Sequence, residues 1–300
     1  MISVTSPRFS KSASFLSLAV ATVGWGLNWP VVKLLLLELP PLFLRGTAGI
    51  AAAFLLAAYA HLAGESLHVP RKLWLMLGWA SFTNVFAWMG FSTLAVARLP
   101  VAQGALLIYT MPIWAMLLAW PLLGERPRGR SVFALALSFS GVVLLLGGEN
   151  FSLGPNEMVG VALALAASVL FALGTVTLRK PLPLPPIAMT AWQVGLGCLP
   201  MLVLSAFWEK TTLGAVTGMG AALWLYMCLV PMGICYLSWF AAVRGLSPTV
   251  AATGTLIVPL VGVLSAVPIL GEPFGLRQIA ALALTLGGVL LVLGRATPDG

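Results

Sequence analysis

Charged side chains are scarce in this sequence. They make up 8% of the 300 residues, whereas 60% of the residues are hydrophobic, and the mean hydropathy is +1.03. An ordinary soluble domain carries about 25% charged residues, because polar groups have to cover much of its surface. The lack of charge therefore excludes a soluble globule and indicates a protein that lies in a lipid bilayer.

Titratable groups are missing from the interiors of the apolar runs. The eight carboxylates fall in loops, in the C-terminal tail or at the ends of runs, and the only histidines, His61 and His68, lie in or beside one loop. An intramembrane enzyme would need a nucleophile with a base, paired carboxylates or metal ligands at depth. We therefore expect no enzymatic activity, no metal and no cofactor. The three cysteines lie within apolar runs, so we expect no disulfide bond.

Long apolar runs are what the sequence has in abundance. A bilayer core is about 30 Å thick, so one helical crossing needs about 20 residues. Helices are expected because lipid offers the backbone no hydrogen-bond partner, and the runs lack the alternation of a membrane β-barrel. The predicted fold class is all-α integral membrane with ten transmembrane helices, at 14–37, 42–63, 73–97, 101–123, 131–147, 158–178, 188–208, 219–243, 248–270 and 277–294.

Positive charge is distributed unevenly among the predicted loops. With the N-terminus in the cytoplasm, eleven Lys and Arg residues fall on the cytoplasmic side, where such residues are enriched in membrane proteins. The opposite side keeps five, namely Lys33, Arg45, Arg98, Lys210 and Arg277. Both termini are therefore predicted to be cytoplasmic. This bias accounts for the net charge of +8, so the basicity does not indicate nucleic-acid binding.

The sequence repeats itself when it is displaced by 147 residues. The displacement lays 112–125 (PIWAMLLAWPLLGE) on 259–272 (PLVGVLSAVPILGE), and the match continues without a gap to residue 294. Glu125 falls on Glu272 and Arg130 falls on Arg277. Apolar composition alone would rarely bring Pro, Gly, Glu and Arg into register in this way.

The repeat predicts how the chain is divided. We expect an N-terminal tail at 1–13, a first five-helix repeat at 14–147, a second at 148–294 and a C-terminal tail at 295–300. Five is an odd number of crossings, so the second repeat would enter the membrane from the opposite side and be inverted. Inverted repeats are a common architecture of secondary transporters, whose substrate site lies between the halves. A duplicated membrane scaffold that transports nothing is the alternative.

Two features resemble a known group of transporters. The first run contains Trp25, Gly26, Asn28 and Lys33, and the fourth and ninth runs both end in a Leu-Gly-Glu sequence that follows a proline. With five plus five spans, these features resemble the drug/metabolite transporter superfamily and its EamA-type exporters over nearly the whole chain. The resemblance implies a bacterial inner-membrane exporter of metabolites with a central cavity, amino acids and aromatic ones in particular. In the second half Ala172 and Leu173 replace the Trp-Gly pair, so the halves are expected to contribute unequally.

The segment GWGLNWP at 24–30 interrupts the first apolar run. Pro30 removes a helix hydrogen bond, and Asn28 is costly against lipid, so we expect a kinked wall with Asn28 and Trp25 facing a cavity. Alternatively, the glycines allow close helix packing and Asn28 bonds to a neighbouring helix. Thr175 occupies the repeat position of Asn28 and is a candidate too, although threonine often bonds to its own helix.

A polar face on the third run is a second signal. Ser81, Asn84, Trp88 and Ser92 recur at steps of three and four, which places them on one helical face. Asn84 and Trp88 are predicted to bind substrate, the alternative being an interhelical hydrogen bond and an interfacial ring. Pro231 replaces Asn84 in the repeat, so the eighth run is expected to be kinked. The remaining candidates are Gln103, Tyr109, Trp192, Tyr236 and Trp239.

These residues predict a neutral, aromatic-rich cavity. Its expected cargo is a small neutral or zwitterionic metabolite, exported by alternating access. Without a titratable group at depth, facilitated diffusion or exchange is favoured over proton coupling. Phosphorylated or cationic metabolites and drugs, for which Lys33 and Lys180 could reach inward, and a channel remain open as alternatives. Besides lipid and its cargo, the chain is expected to act alone or as a weak homodimer.

Overall fold

The computed structural model describes residues 11–126, 129–146, 154–178, 182–211, 214, 216–246, 250–251 and 254–293. Within these ranges the regular structure is entirely helical. Most of both predicted tails and Lys180 lie outside the described residues. The predicted all-α class is therefore confirmed for the described part of the chain.

Ten helices make up the described part of the chain, and their bounds lie within a few residues of most of the predicted runs. They are α1 (Lys11–Leu35), α2 (Pro41–Leu62), α3 (74–96), α4 (Val101–Leu123), α5 (Gly129–Leu146), α6 (Pro155–Thr177), α7 (Pro186–Trp208), α8 (Gly218–Gly245), α9 (Ile257–Leu270) and α10 (Leu276–Leu293). By length and composition, α1, α2, α4, α6, α7 and α8 can each cross a membrane. The chain is thus a multi-pass membrane protein.

The repeated Leu-Gly-Glu sequences end α4 and α9 in the same way. Gly124 has φ of 74° and Gly271 has φ of 68°, a left-handed conformation that favours glycine. The N–H groups of these glycines bond to the carbonyls of Trp120 and Val267, at 2.9 and 3.0 Å. The sequence repeat therefore encodes two equivalent helix ends.

Regular α-helix is interrupted in α3 and α8 rather than in α1. A π-helical segment occupies Phe82–Phe91 in α3, and another occupies Val230–Ile234 in α8. The second contains Pro231, so the predicted distortion of the eighth run is confirmed. By contrast, α1 is helical throughout Lys11–Leu35, with Pro30 buried inside it. The expected broken turn next to Pro30 is therefore wrong.

Carboxylates fix the relative directions of α2 and α7. Glu209, which follows α7, accepts hydrogen bonds from the N–H groups of Leu42 and Phe43 at the start of α2, at 2.9 and 2.8 Å. Glu65, which follows α2, accepts two from the first turn of α7, at 3.0 and 2.9 Å. A carboxylate favours the positive end of a helix. Because each helix is capped from beyond the end of the other, α2 and α7 run antiparallel.

Two further glutamates link the halves of the chain. Glu38, after α1, accepts bonds from the N–H and hydroxyl of Thr217 just before α8, both at 2.8 Å. Glu272, after α9, accepts bonds from the N–H groups of Val101 and Ala102 at the start of α4, at 2.7 and 3.3 Å. The expectation that Glu272 caps a helix end is confirmed. We call the side where α1 and α7 begin the near side, and the side where α2 and α8 begin the far side.

Most helix contacts join the first five helices to the last five. The most extensive are α2 with α7, α5 with α10, α1 with α8 and α9, and α6 with α3 and α4. The pattern is unchanged when every helix is exchanged for the helix five places away. The contact between α5 and α10 is reciprocal in detail, because a Cβ on Gly141 would meet Ala281 and Thr285, and one on Gly288 would meet Ala134 and Ser138.

Candidate functional site

A cavity of about 430 Å³ lies between the two sets of helices. Its wall includes residues of α1, α2, α3 and α4 from the first set and of α6, α7, α8 and α9 from the second. It reaches from Met189 and Thr190 in the first turns of α7, on the near side, to Arg45 in the second turn of α2, on the far side. The volume is typical of a small-molecule site.

Seven of the ten predicted site residues line this cavity. They are Trp25, Asn28, Asn84, Trp88, Tyr109, Tyr236 and Trp239. They belong to four helices that are far apart in sequence, and the fold brings them to one wall. Whether they bind a substrate is a separate matter, to which we return below.

The glycines of α1 allow its close packing against α8 and α9. A Cβ on Gly24 would meet the sulfur of Cys235, and a Cβ on Gly26 would meet Val261 and the carbonyl of Val258. Close packing, offered above as the alternative role of these glycines, is thus what the structure shows. It brings the adjacent Trp25 and Asn28 to the cavity wall.

Asn28 and Trp25 face the cavity with different polar atoms. The side-chain oxygen of Asn28 is buried and has no hydrogen-bond partner. The indole N–H of Trp25 donates to the carbonyl of Pro231 at 2.9 Å, which ties α1 to the π-helical segment of α8. Trp25 therefore offers its ring, and Asn28 offers a hydrogen-bond acceptor.

Aromatic rings form two clusters on the wall. Trp25 lies 5.5 Å from Tyr236 and 5.9 Å from Trp239, measured between ring centroids. Trp88 lies 6.0 Å from Tyr109 and 4.7 Å from Phe171. Such distances fit edge-to-face and tilted aromatic pairs. A planar apolar group in the cavity would meet rings on both sides.

The polar face of α3 lies on the cavity for most of its length. Asn84, Trp88 and Ser92 line the wall, as do Val85 and Met89. The π-helical segment widens the helical turn beyond 3.6 residues, so residues four apart stay in line. Ser81, the first member of the predicted face, is instead buried and donates to the carbonyl of Leu77.

Three predicted site residues lie away from the cavity wall. Thr175 is exposed and donates to the carbonyl of Phe171 in its own helix, at 3.0 Å. Trp192 donates to the carbonyl of Leu67 in a loop, at 3.0 Å, and its neighbour Gln193 is the residue that lines the cavity. Gln103 is half-buried in α4, with its side-chain oxygen unpartnered. None of the three is among the lining residues, so their assignment to the site is corrected.

The cavity also contains residues that the sequence reasoning did not select. Arg45, Trp29 and Gln193 all line the wall. Trp29 lies one helical turn from Trp25, so the spacing alone could have identified it. Arg45 was counted as a loop-side charge, although Pro40 and Pro41 mark the start of a helix and already place it in the second turn.

Arg45 overturns the expectation of an uncharged cavity. Its side chain is 8% exposed, and its guanidinium contacts Thr93, whose hydroxyl accepts from Nε at 2.6 Å. Lys33, by contrast, donates to the carbonyls of Val96 and Leu99 at the end of α3, at 2.5 and 2.8 Å. A lysine at a helix C-terminus has a favourable electrostatic role there. Lys33 therefore has partners outside the cavity, and Arg45 supplies its positive charge.

A hydrophobic cluster closes the far side. It contains Leu35 and Leu39 from the end of α1, Leu44 beside Arg45, and Val96 at the end of α3, all buried. Its remaining buried members are Val31, Val32, Ala48, Met227 and Cys228. The cluster lies between Arg45 and the far-side ends of these helices, so the cavity ends at Arg45.

Comparison with known proteins gives consistent matches along the chain. The family model for the EamA-like transporter family matches residues 12–147 and 158–294. The "Uncharacterized transporter YvbV" of Bacillus subtilis (strain 168) is 27% identical over 292 residues, which cover 95% of this chain and 93% of that protein. The "Probable amino-acid metabolite efflux pump" of Salmonella typhimurium is 27% identical over 298 residues, covering 94% and 95%. One solved crystal structure has the same fold, with a TM-score of 0.68 at 21% identity, covering 94% of this chain and 96% of the other.

Proposed function

The chain belongs to the EamA-like transporter family, and we propose that it is a secondary transporter that exports small zwitterionic or neutral metabolites across a bacterial inner membrane. Amino acids, aromatic ones in particular, are the proposed cargo. The proposal rests above all on the cavity of about 430 Å³, whose wall combines aromatic rings with side-chain amides. Rings favour a partly apolar cargo, and the amides can bond to its polar end.

The names of relatives support an amino-acid cargo. Proteins named "Probable amino-acid metabolite efflux pump" from Salmonella typhimurium and Escherichia coli are 27% and 25% identical to this chain. Both matches span more than nine-tenths of each chain. Other relatives are named as transporters, which favours transport over catalysis.

Alternating access is the proposed mechanism. We propose that α1–α5 and α6–α10 are two inverted repeats, with the cavity between them exposed to each side of the membrane in turn. The far-side cluster is then a closed gate of packed apolar side chains. With both termini in the cytoplasm, as the charge bias predicts, the cavity would face the cytoplasm, where an exporter collects its cargo.

Transport is proposed to run down the cargo gradient. Glu38, Glu65, Glu209 and Glu272 bind helix N-termini rather than the cavity, and the described lining residues include no carboxylate or histidine. A proton-coupled carrier usually has such a group at depth.

A liposome assay tests the proposal. Purified protein is reconstituted and loaded with unlabelled L-phenylalanine, and uptake of labelled L-phenylalanine is followed with and without a pH gradient. We expect saturable counterflow that does not need the gradient. Uptake that depends strictly on the proton gradient would contradict the uncoupled mechanism, and single-channel currents without counterflow would indicate a channel.

A further inference from the structure

Arg45 is the only charged side chain among the described residues that line the cavity. Its Nε donates to the hydroxyl of Thr93 at 2.6 Å, and Nη1 lies 3.8 Å from the sulfur of Met227. Both partners are neutral. Within the described part of the chain, no carboxylate bonds to this guanidinium.

An unpaired charge at this depth has a large desolvation penalty. Buried arginines are normally paired with a carboxylate or phosphate, because the pairing offsets the loss of water. The nearest candidates in sequence, Glu38 and Glu65, are bound to the starts of α8 and α7. The charge therefore lacks an internal counterion, although the rest of the wall is apolar or neutral.

Asn28 presents the opposite requirement in the same cavity. Its buried side-chain oxygen accepts no hydrogen bond from the protein. A buried acceptor without a donor is also unfavourable. The wall thus lacks one anion and one hydrogen-bond donor, and an amino-acid zwitterion supplies both, as a carboxylate and an ammonium.

We propose that Arg45 binds the carboxylate of the cargo at the closed end of the cavity, so that the transporter selects organic carboxylates over amines. This inference rests on the proposed transport function and names the chemical class of its substrate. The ammonium of an amino acid bonds to Asn28, and its side chain lies among the rings of Trp25, Tyr236 and Trp239. Thr93 is a positioning residue, because its hydroxyl orients Nε.

Ligand binding to purified protein separates the parts of the cargo. The probes are L-phenylalanine, 3-phenylpropionate, which lacks the ammonium, and phenethylamine, which lacks the carboxylate, with phenyl phosphate as a different anion. Binding is followed by the shift in thermal unfolding and by tryptophan fluorescence. We expect the two carboxylates to bind and phenethylamine to bind at least tenfold more weakly. Tighter binding of phenyl phosphate than of 3-phenylpropionate would contradict a carboxylate site.

Variants of the anchor give the decisive comparison. Arg45→Gln should weaken binding of 3-phenylpropionate about tenfold or more, since a charged hydrogen bond is lost, and leave phenethylamine unchanged. Thr93→Val should give a smaller loss. Arg98→Gln is the matched control, because Arg98 donates to Leu94 in its own helix and does not line the cavity. Unchanged carboxylate binding in Arg45→Gln, or no carboxylate-dependent shift in the wild type, overturns the inference.

A structural role for Arg45 predicts a different result. If the guanidinium mainly joins helices, Arg45→Gln should unfold at a lower temperature without any probe. If it awaits an anion, removing the unpaired charge should leave that temperature unchanged or raise it. The liposome assay keeps the two proposals apart, since carboxylate binding that depends on Arg45 without counterflow refutes transport alone. Counterflow that survives Arg45→Gln refutes the anchor alone.

Discussion

Polar side chains in the cavity should matter more for binding than for folding. The oxygen of Asn28 is buried without a partner, and such an acceptor costs about 1–3 kcal/mol. Asn28→Leu keeps the volume and should leave the unfolding temperature unchanged or higher, while the concentration for half-maximal counterflow rises several-fold. Thr175→Val is the control from the equivalent repeat position and should leave counterflow unchanged, because Thr175 bonds to its own helix outside the cavity. Loss of stability in Asn28→Leu would argue for a structural amide.

Single residues were predictable where their cost in lipid is high and their neighbours are apolar. Asn28, Asn84 and Trp88 were found in this way, and all three line the cavity. Thr175 was not distinguishable, since a hydroxyl can be satisfied by the carbonyl of the preceding turn. Arg45 was missed because its sequence position lies close to a loop, and only the three-dimensional packing of α2 shows its side chain to be buried.

At the scale of helices, Gly26 should be required for the packing of α1 on α9. In Gly26→Ala the new Cβ would meet Val261 and the carbonyl of Val258, and overpacking of this kind costs about 1–3 kcal/mol. We expect a lower unfolding temperature in detergent. Gly78→Ala is the control, because nothing lies within 4 Å of that position in α3, and the loss of glycine from a helix should stabilise it by about 0.5–1 kcal/mol. Equal stability of the two variants would contradict the close approach.

The carboxylate that caps α2 should contribute to stability without affecting the cavity. Glu209→Ala removes both acceptors from the N–H groups of Leu42 and Phe43, and loss of a helix cap costs about 0.5–2 kcal/mol. The unfolding temperature should fall, and probe binding should persist. Glu209→Gln retains one acceptor oxygen and should fall between the wild type and Glu209→Ala. A larger effect on binding than on unfolding would assign Glu209 to transport.

Helix positions followed from the sequence, but helix distortions did so only in part. Apolar runs between charges determine where crossings begin and end, which is why most predicted bounds agree. Pro231 marks a real π-helical segment, whereas Pro30 lies in a continuous helix. The longer π-helical segment of α3 contains no proline, and steps of three and four residues fit both helix types. Local sequence therefore cannot separate them, because tertiary contacts decide which carbonyls remain bonded.

On the scale of the whole molecule, the two-repeat arrangement is a prediction that several contacts support. Gly141 and Gly288 are 147 positions apart and occupy reciprocal places between α5 and α10. The π-helical segments of α3 and α8 also overlap when the chain is displaced by that amount. The two glutamates that cap α2 and α7 require these helices to run antiparallel. A pseudo-two-fold axis in the membrane plane would account for all three features, and for a cavity whose two ends open in turn.

Alternating access and a cytoplasmic N-terminus together predict which positions react from each side. Gln193 lines the cavity towards the near side, whereas Leu44 is fully buried in the far-side cluster. Gln193→Cys should react with a membrane-impermeant maleimide in inside-out vesicles and stay unmodified in intact cells. Leu44→Cys should stay unmodified until L-phenylalanine is exported, because only the opposite state separates the cluster. The native cysteines are buried, so the wild type is the control. Modification of Gln193→Cys from outside resting cells would reverse the orientation, and an unreactive Leu44→Cys during export would place the gate elsewhere.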